Sequence, residues 1–325
     1  MELGLARSSG LRLMRRSYSL RYSQDLSDPS ESRNSTTPLE LVNLEPLMQR
    51  MSGTPDVRVG LIDGPVNLSH PDLESKNIQA VAGKMSGVCS RTDSFACMHG
   101  TFVAGVLAAH RGSLAPAICP DCTLLVRPIF TETTTIDPLM PTATPLELAT
   151  AIVETVDAGA RVINLSASLV QASTKGEQQL AGALNYAARR GSIVIAAAGN
   201  QGAVGSTCLT RHRWVIPVVA CDLRGRPLDH TNLGDSISRR GVRAPGHNIT
   251  SIGAHGKSPA FSGTSAAAPF VTGTIALLWS EFPHATADEV KLALERALTR
   301  RTTVVPPLLD AWGAYQAMTT FVERR

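Results

Sequence analysis

The chain has 325 residues, 43% of them hydrophobic, which is ample for one large core and ordinary for a single α/β domain. Its charge of 31 minus 27, or +4, is too mild to point to nucleic acid, and at 4% aromatics it lacks a base-stacking platform. No run approaches the ~18 apolar residues of a membrane span, so no spanning segment is expected.

Residues 1–37 carry Arg7, Arg12, Arg15, Arg16 and Arg21 among serines and leucines, without the continuous apolar stretch of a secretory signal. They read as a disordered or weakly ordered basic tail. The same composition resembles an organelle transit peptide, although "SQDLSDPSES" brings in acids. The compact domain is expected over residues 38–320, opening with a helix over Pro38–Met51. "VRVGLID" is a continuous apolar strand ending at Asp63, and "HGTFVAGVLAAH" has helical spacing from His99. "TLLVRPIF" is the next strand. "TPLELATAIVETVDAGA" is an amphipathic helix, with Thr144 as cap, Pro145 at its first position and Gly159 at its stop. "RVINLS" is a strand, "GEQQLAGALNYAARRG" a helix stopped by Gly191, and "SIVIAAAG" and "WVIPVVAC" are strands. An alanine-rich helix starts near Ser265, and a Thr-x-x-Glu capping box at Thr286 and Glu289 opens another. Strands buried on both faces and alternating with helices give an α/β fold, a parallel sheet with helices on each side.

In such sheets function collects at the carboxyl ends of the strands. Asp63 and Asn200 each end a strand, His99 lies at the rim, and Ser265 begins a helix. Pro269 sets that helix start, because proline is tolerated only where the first-turn N–H groups have no partner. On this stretch alone Ser265 reads as a helix cap, since capping serines are far commoner than nucleophiles. The set as a whole matches acyl transfer. A serine needs an imidazole to take its proton, and the imidazole needs a carboxylate to hold its tautomer. The oxyanion needs fixed donors, which a side-chain amide and a helix N-terminus supply.

"GLIDGPV", "HGTFVAG", "VINLSAS", "AAAGNQG" and "FSGTSAAAPFV" stand in the order and approximate spacing of the subtilisin-like serine proteases, and the chain resembles that family over roughly residues 55–280. The resemblance implies a three-layer subtilisin-like fold with Asp63, His99 and Ser265 as the triad and Asn200 in the oxyanion hole. It implies that Ser166, Ala167 and Ser168 pair with a peptide substrate, and that Ala197, Ala198 and Gly199 line the opposite wall. Three departures stand out: Gly64 and Pro65 follow the aspartate where Ser or Thr and then Gly are usual, Phe102 replaces a second histidine, and Ser168 stands where glycine is common. "AHRGSLAPAICPDC" lacks the carboxylates of a calcium site, so no metal and no cofactor is expected.

"DGPVNLSHPDL" and "APAICPDCTLLVRPIF" are further similar to subtilases of cyanobactin-type clusters, which cut leaders from ribosomal precursor peptides. The stretch before "VRVGLID" leaves little room for a folding pro-domain, so a cytoplasmic processing enzyme is expected, its partner a peptide or protein substrate. A degradative subtilase and a catalytically silent peptide-binding scaffold are the alternatives. His70 and Asp72 in "SHPDL" could mimic a His/Asp pair but read as loop-shaping, and His110 and His255 stand in no motif. Cys89, Cys97, Cys119, Cys122, Cys208 and Cys221 do not read as a disulfide framework. "CPDC" has redox or half-zinc spacing but no partner motif, so a turn with two thiols, or a local disulfide, is expected there.

Overall fold

The computed structural model describes residues 36–74, 77–83, 85–132, 143–166, 176–256, 258–298 and 304–323. The basic tail falls almost wholly on residues 1–35, outside them. The elements in chain order are α1 (Pro38–Leu41), α2 (Glu45–Arg50), β1 (Arg58–Asp63), β2 (Ile78–Ala80), α3 (Phe95–Ala108), β3 (Thr123–Pro128), α4 (Pro145–Asp157), β4 (Val162–Leu165) and α5 (Glu177–Arg189). There follow β5 (Ile193–Ala197), α6 (Cys208–Arg211), β6 (Val215–Cys221), α7 (Asp235–Arg240), β7 (Val242–Pro245), β8 (Ile249–Thr250), β9 (Ala260–Phe261), α8 (Thr264–Glu281), α9 (Ala287–Ala297) and α10 (Ala311–Val322).

The strands β1 to β7 form one sheet in the order β2-β3-β1-β4-β5-β6-β7, with every pairing parallel. Side-chain alternation splits the core into two layers. Val59 and Leu61 of β1 pack in one cluster with α3 and α8, while Ile62 packs in the other with α4 and α5. Both faces are thus covered, as the continuous apolar strands require. The chain builds β2 and β3 on one side of β1 and then crosses to β4 on the other. That reversal places the crevice at the carboxyl ends of β1 and β4.

Helix starts follow their caps. Thr144 accepts from the Glu147 N–H and Glu147 reaches back to Thr144, and Thr286 and Glu289 form the same reciprocal pair. Three local readings need correction. The Pro38–Met51 helix is two short helices, broken where Asn43 takes φ 50°. His99 lies in the second turn of α3 rather than at its start, because Ser94 caps the helix by accepting from the Cys97 N–H at 3.1 Å. The helix start expected near Ser265 holds to within a residue, but Pro269 lies beyond the first turn. It is the sixth residue of α8, so it removes the bond that residue 269 would have donated to the Ser265 carbonyl.

α3 passes unusually close to the chain leaving β1. A Cβ on Gly64 would lie 1.9 Å from the Ala96 carbonyl oxygen, and one on Gly100 would lie 2.5 Å from the Gly64 oxygen. This explains the departure at Gly64, because no serine or threonine fits beneath α3. Gly64→Ser is expected to destabilise the protein by roughly 1–3 kcal/mol through overpacking against backbone. Thermal melting of the purified variant checks this; an unchanged midpoint would contradict the close approach.

Candidate active site

The crevice brings together three of the residues expected from sequence. Asp63 is fully buried, His99 is 3% exposed and Ser265 is 8% exposed. His99 Nδ1 lies 2.7 Å from Asp63 Oδ1, and His99 Nε2 lies 3.0 Å from Ser265 Oγ. A carboxylate only accepts, so Nδ1 carries the proton and Nε2 is left to accept from the serine hydroxyl. The Gly64 N–H donates to the same Asp63 oxygen at 2.6 Å. Among the described residues the buried Asp63 Oδ2 has no hydrogen-bond partner. Aromatic rings close around the imidazole: Phe95 stacks on it at 5.9 Å, and Phe261 meets it edge-on at 5.8 Å. Phe261 also packs on Phe102 at 4.7 Å, so the residue replacing the family's second histidine supports the ring that borders His99.

Ser265 is the second residue of α8, whose cap position is Gly263 at φ 142°. Its hydroxyl therefore sits where backbone N–H groups and the helix dipole favour negative charge. A Cβ on Gly263 would lie 2.8 Å from Asn200 Nδ2, so only glycine lets Asn200 come this close. Asn200 is oriented through its oxygen. Asn200 Oδ1 accepts from the Thr264 N–H at 2.9 Å and the Thr264 hydroxyl at 3.1 Å. The Gly199 N–H in turn donates to Thr264 Oγ1 at 3.2 Å. With the oxygen so engaged, the amide nitrogen is turned away from Thr264 and serves as a donor.

The expected substrate wall is only partly described. Ser166 follows β4, but its hydroxyl is buried and accepts from Asn164 Nδ2 at 2.9 Å. Asn164 Oδ1 accepts from Thr272 Oγ1 of α8 at 2.9 Å, which ties that strand end to the serine's helix. Ala167 and Ser168 lie outside the described residues. Ala197 ends β5, and Ala198 and Gly199 follow it outside the strand, with Asn200 next, so Asn200 lies three residues past the strand end expected for it. Asn232 holds this edge: its Nδ2 donates to the Ala198 carbonyl at 3.2 Å, and its N–H donates to the Gly199 carbonyl at 2.8 Å.

Sequence reasoning singled out neither Thr264, Asn164, Thr272, Asn232 nor Phe261. Thr264 was within reach, being fixed between Gly263 and Ser265, whereas nothing local marks Asn232. His70 and Asp72 form a cap, the Asp72 N–H donating to His70 Nδ1 at 3.1 Å, well short of the site chemistry. The cysteine reading is overturned at one pair. Cys89 and Cys97 form a disulfide with a Cα–Cα distance of 5.6 Å, brought together by a loop that their spacing does not reveal. The same two sulfurs and Glu132 are a close group of metal-ligand types, and the bridge occupies both sulfurs. Cys119, Cys122, Cys208 and Cys221 are free thiols.

The Subtilase family profile matches residues 54–313. This chain belongs to the subtilase family. It is 33% identical over 233 residues to the thermophilic serine proteinase of Bacillus sp. (strain AK1), and 30% identical over 251 residues to subtilisin E of Bacillus subtilis (strain 168). Those alignments cover 70% and 75% of this subtilase, and 53% and 61% of the relatives, so the chain spans about half to three-fifths of their length. Among solved structures it is similar to the protease domain of PatA, solved as a point mutant, with TM-score 0.77 and 28% identity over 84% of this chain and 99% of that one. It is also similar to the prenylagaramide maturation protease PagA, with TM-score 0.75 and 27% identity over 85% and 98% of the two chains. The expected subtilisin-like fold and the expected likeness to maturation subtilases both hold.

Thr264→Val keeps the side-chain shape and the N–H bond to Asn200 but removes the hydroxyl that links Gly199 to Asn200. Turnover is expected to fall roughly tenfold, the worth of about one hydrogen bond between neutral groups. Steady-state kinetics on a chromogenic peptide checks it, and unchanged turnover would mean that Asn200 does not depend on this link.

Proposed function

We propose that this subtilase is a serine endopeptidase that removes a leader segment from a ribosomally made precursor peptide. The observation that carries the chemistry is the hydrogen-bonded row Asp63, His99, Ser265 at the start of α8. Ser265 Oγ attacks the scissile carbonyl carbon while its proton passes to His99 Nε2. Asp63 holds the ring and stabilises the imidazolium. The oxyanion receives the Ser265 N–H and the Asn200 amide, donors that gain strength only as charge develops. His99 then returns the proton to the departing amine, leaving an acyl-enzyme on Ser265. Water repeats the sequence and releases the acid.

The substrate reading is supported by the likeness to two maturation proteases over nearly their whole length. An extended peptide adds as a strand along Ser166, Ala167 and Ser168, with Ala197, Ala198 and Gly199 opposite. Backbone pairing of this kind binds without reading sequence. A pocket altered by one side chain discriminates by only about 1–3 kcal/mol, so single-site processing needs further contacts along the peptide. Among the described residues no helix is long and apolar enough to cross a membrane. The cytoplasmic setting expected from the sequence belongs to this proposal.

Ser265→Ala is expected to abolish cleavage with the fold retained, a loss of about 10⁴–10⁶ in turnover. Asn200→Ala is expected to lower turnover by roughly 10²–10³ with a much smaller change in KM. Both are measured on a panel containing casein and candidate precursor peptides. Cleavage at one site of a precursor, with casein spared, supports maturation. Broad casein digestion points to a degradative enzyme, and an active Ser265→Ala protein removes the nucleophile assignment.

A further inference from the structure

The bridge between Cys89 and Cys97 closes a ring that contains the acid and the base. From Asp63 the chain runs to Val66, whose N–H donates to the Gly87 carbonyl at 3.0 Å and whose carbonyl accepts from the Cys89 N–H at 3.1 Å. Cys89 is bonded to Cys97, in the first turn of α3. Two residues on, His99 returns to Asp63 at 2.7 Å. Every link in this ring is a backbone segment, a hydrogen bond or the disulfide.

The disulfide is the one covalent restraint across it. The loop leading through Cys89 to α3 has little apolar packing: Ser86, Val88, Ser90 and Asp93 are exposed. It is held instead by Glu132, which accepts from the Ser90 N–H at 3.0 Å and the Arg91 N–H at 2.9 Å. Helix ends fray most easily, and this one carries Phe95, whose ring stacks on His99. Cys89 is half-buried and Cys97 fully buried, so a thiol from solution reaches the Cys89 sulfur and expels Cys97 as the leaving thiolate. Two of the four free thiols, Cys221 and Cys119, compete poorly for the bridge. Burial pushes Cys221 up to about 12, and the hydrogen bond that the Cys119 thiol donates to Cys122, together with burial, holds Cys119 well above the usual thiol range.

We propose that the Cys89–Cys97 disulfide is a positioning element for the base: intact, it holds the first turn of α3 so that His99 meets Asp63, and its reduction lowers turnover. Reduction by a dithiol breaks the S–S bond and gives two protein thiols, while the dithiol gives up two electrons and two protons and closes to its own disulfide. This rests on the triad reading above. In the cytoplasmic setting proposed above, a dithiol reductant would hold the enzyme in its slower state until the bridge is reoxidised.

The test compares oxidised protein, protein reduced with dithiothreitol, and the Cys89→Ser/Cys97→Ser variant. Each is assayed for kcat and KM on one peptide, for its rate of labelling by a fluorophosphonate, and for the far-downfield proton resonance of the His99–Asp63 hydrogen bond. Small misplacements of a catalytic group cost up to about 10²-fold, so kcat and labelling are expected to fall roughly 10- to 100-fold with KM kept. The downfield resonance should weaken, reoxidation should restore all three, and the double variant should match reduced protein and ignore the reductant. Equal kcat in the oxidised and reduced forms overturns the proposal. So does a loss of activity that only tracks unfolding, read by circular dichroism at the assay temperature. If even oxidised protein neither labels nor cleaves, the triad reading fails, and this inference with it.

Discussion

Everything at the catalytic edge depends on how closely α3 passes over the end of β1. Asp63 and His99 are 36 residues apart, and they meet because Gly64 and Gly100 let two backbones touch. With any side chain at position 64 the helix would have to rise, carrying the imidazole with it. Among the described residues, one oxygen of this fully buried carboxylate has no hydrogen-bond partner. Burying a charge is costly unless it is paired, so the remaining Asp63 oxygen bears both the Gly64 N–H and the imidazole.

The other half of the site hangs from α8. That helix is buried on all sides from Thr264 to Trp279, which fixes Ser265 with the rigidity of the core rather than of a loop. Its attachments to the sheet are polar and specific. Thr272 bonds Asn164 beneath the β4 end, and Thr264 bonds Asn200 beyond the β5 end. The nucleophile, the amide donor and the strand end that would meet substrate thus share one frame. A displacement of α8 would disturb all three together, so losses from Thr272 and Thr264 substitutions should couple rather than add.

Much of this was legible in the sequence because the signals are local. Apolar runs of strand length, capping boxes at Thr144 and Thr286, and glycine stops at Gly159 and Gly191 each report on a few neighbouring residues. Three of the four site positions were legible for a related reason: Asp63, Asn200 and Ser265 sit at or just beyond a strand end or at a helix start, whereas His99 lies inside α3. What escaped depends on contacts between distant segments. The disulfide needs the loop before α3 to pair with Val66, and no spacing rule encodes that pairing. Asn232 acts on Ala198 and Gly199 from another loop, and Phe261 acquires a role only when β9 lies against α3. Pro269 misled in a subtler way: it lies in the second turn of α8, and the helix continues through it because its apolar residues are packed on every side.

The central claim is that Ser265 is the nucleophile and that its own N–H and the Asn200 amide receive the oxyanion. A crystal structure of the protein inactivated by a peptidyl phosphonate tests it most directly. The account predicts a covalent bond from Ser265 Oγ to phosphorus, with one phosphonyl oxygen about 2.7–3.1 Å from both donors. An unmodified Ser265, or an adduct whose phosphonyl oxygen points to solvent away from Asn200, would contradict it.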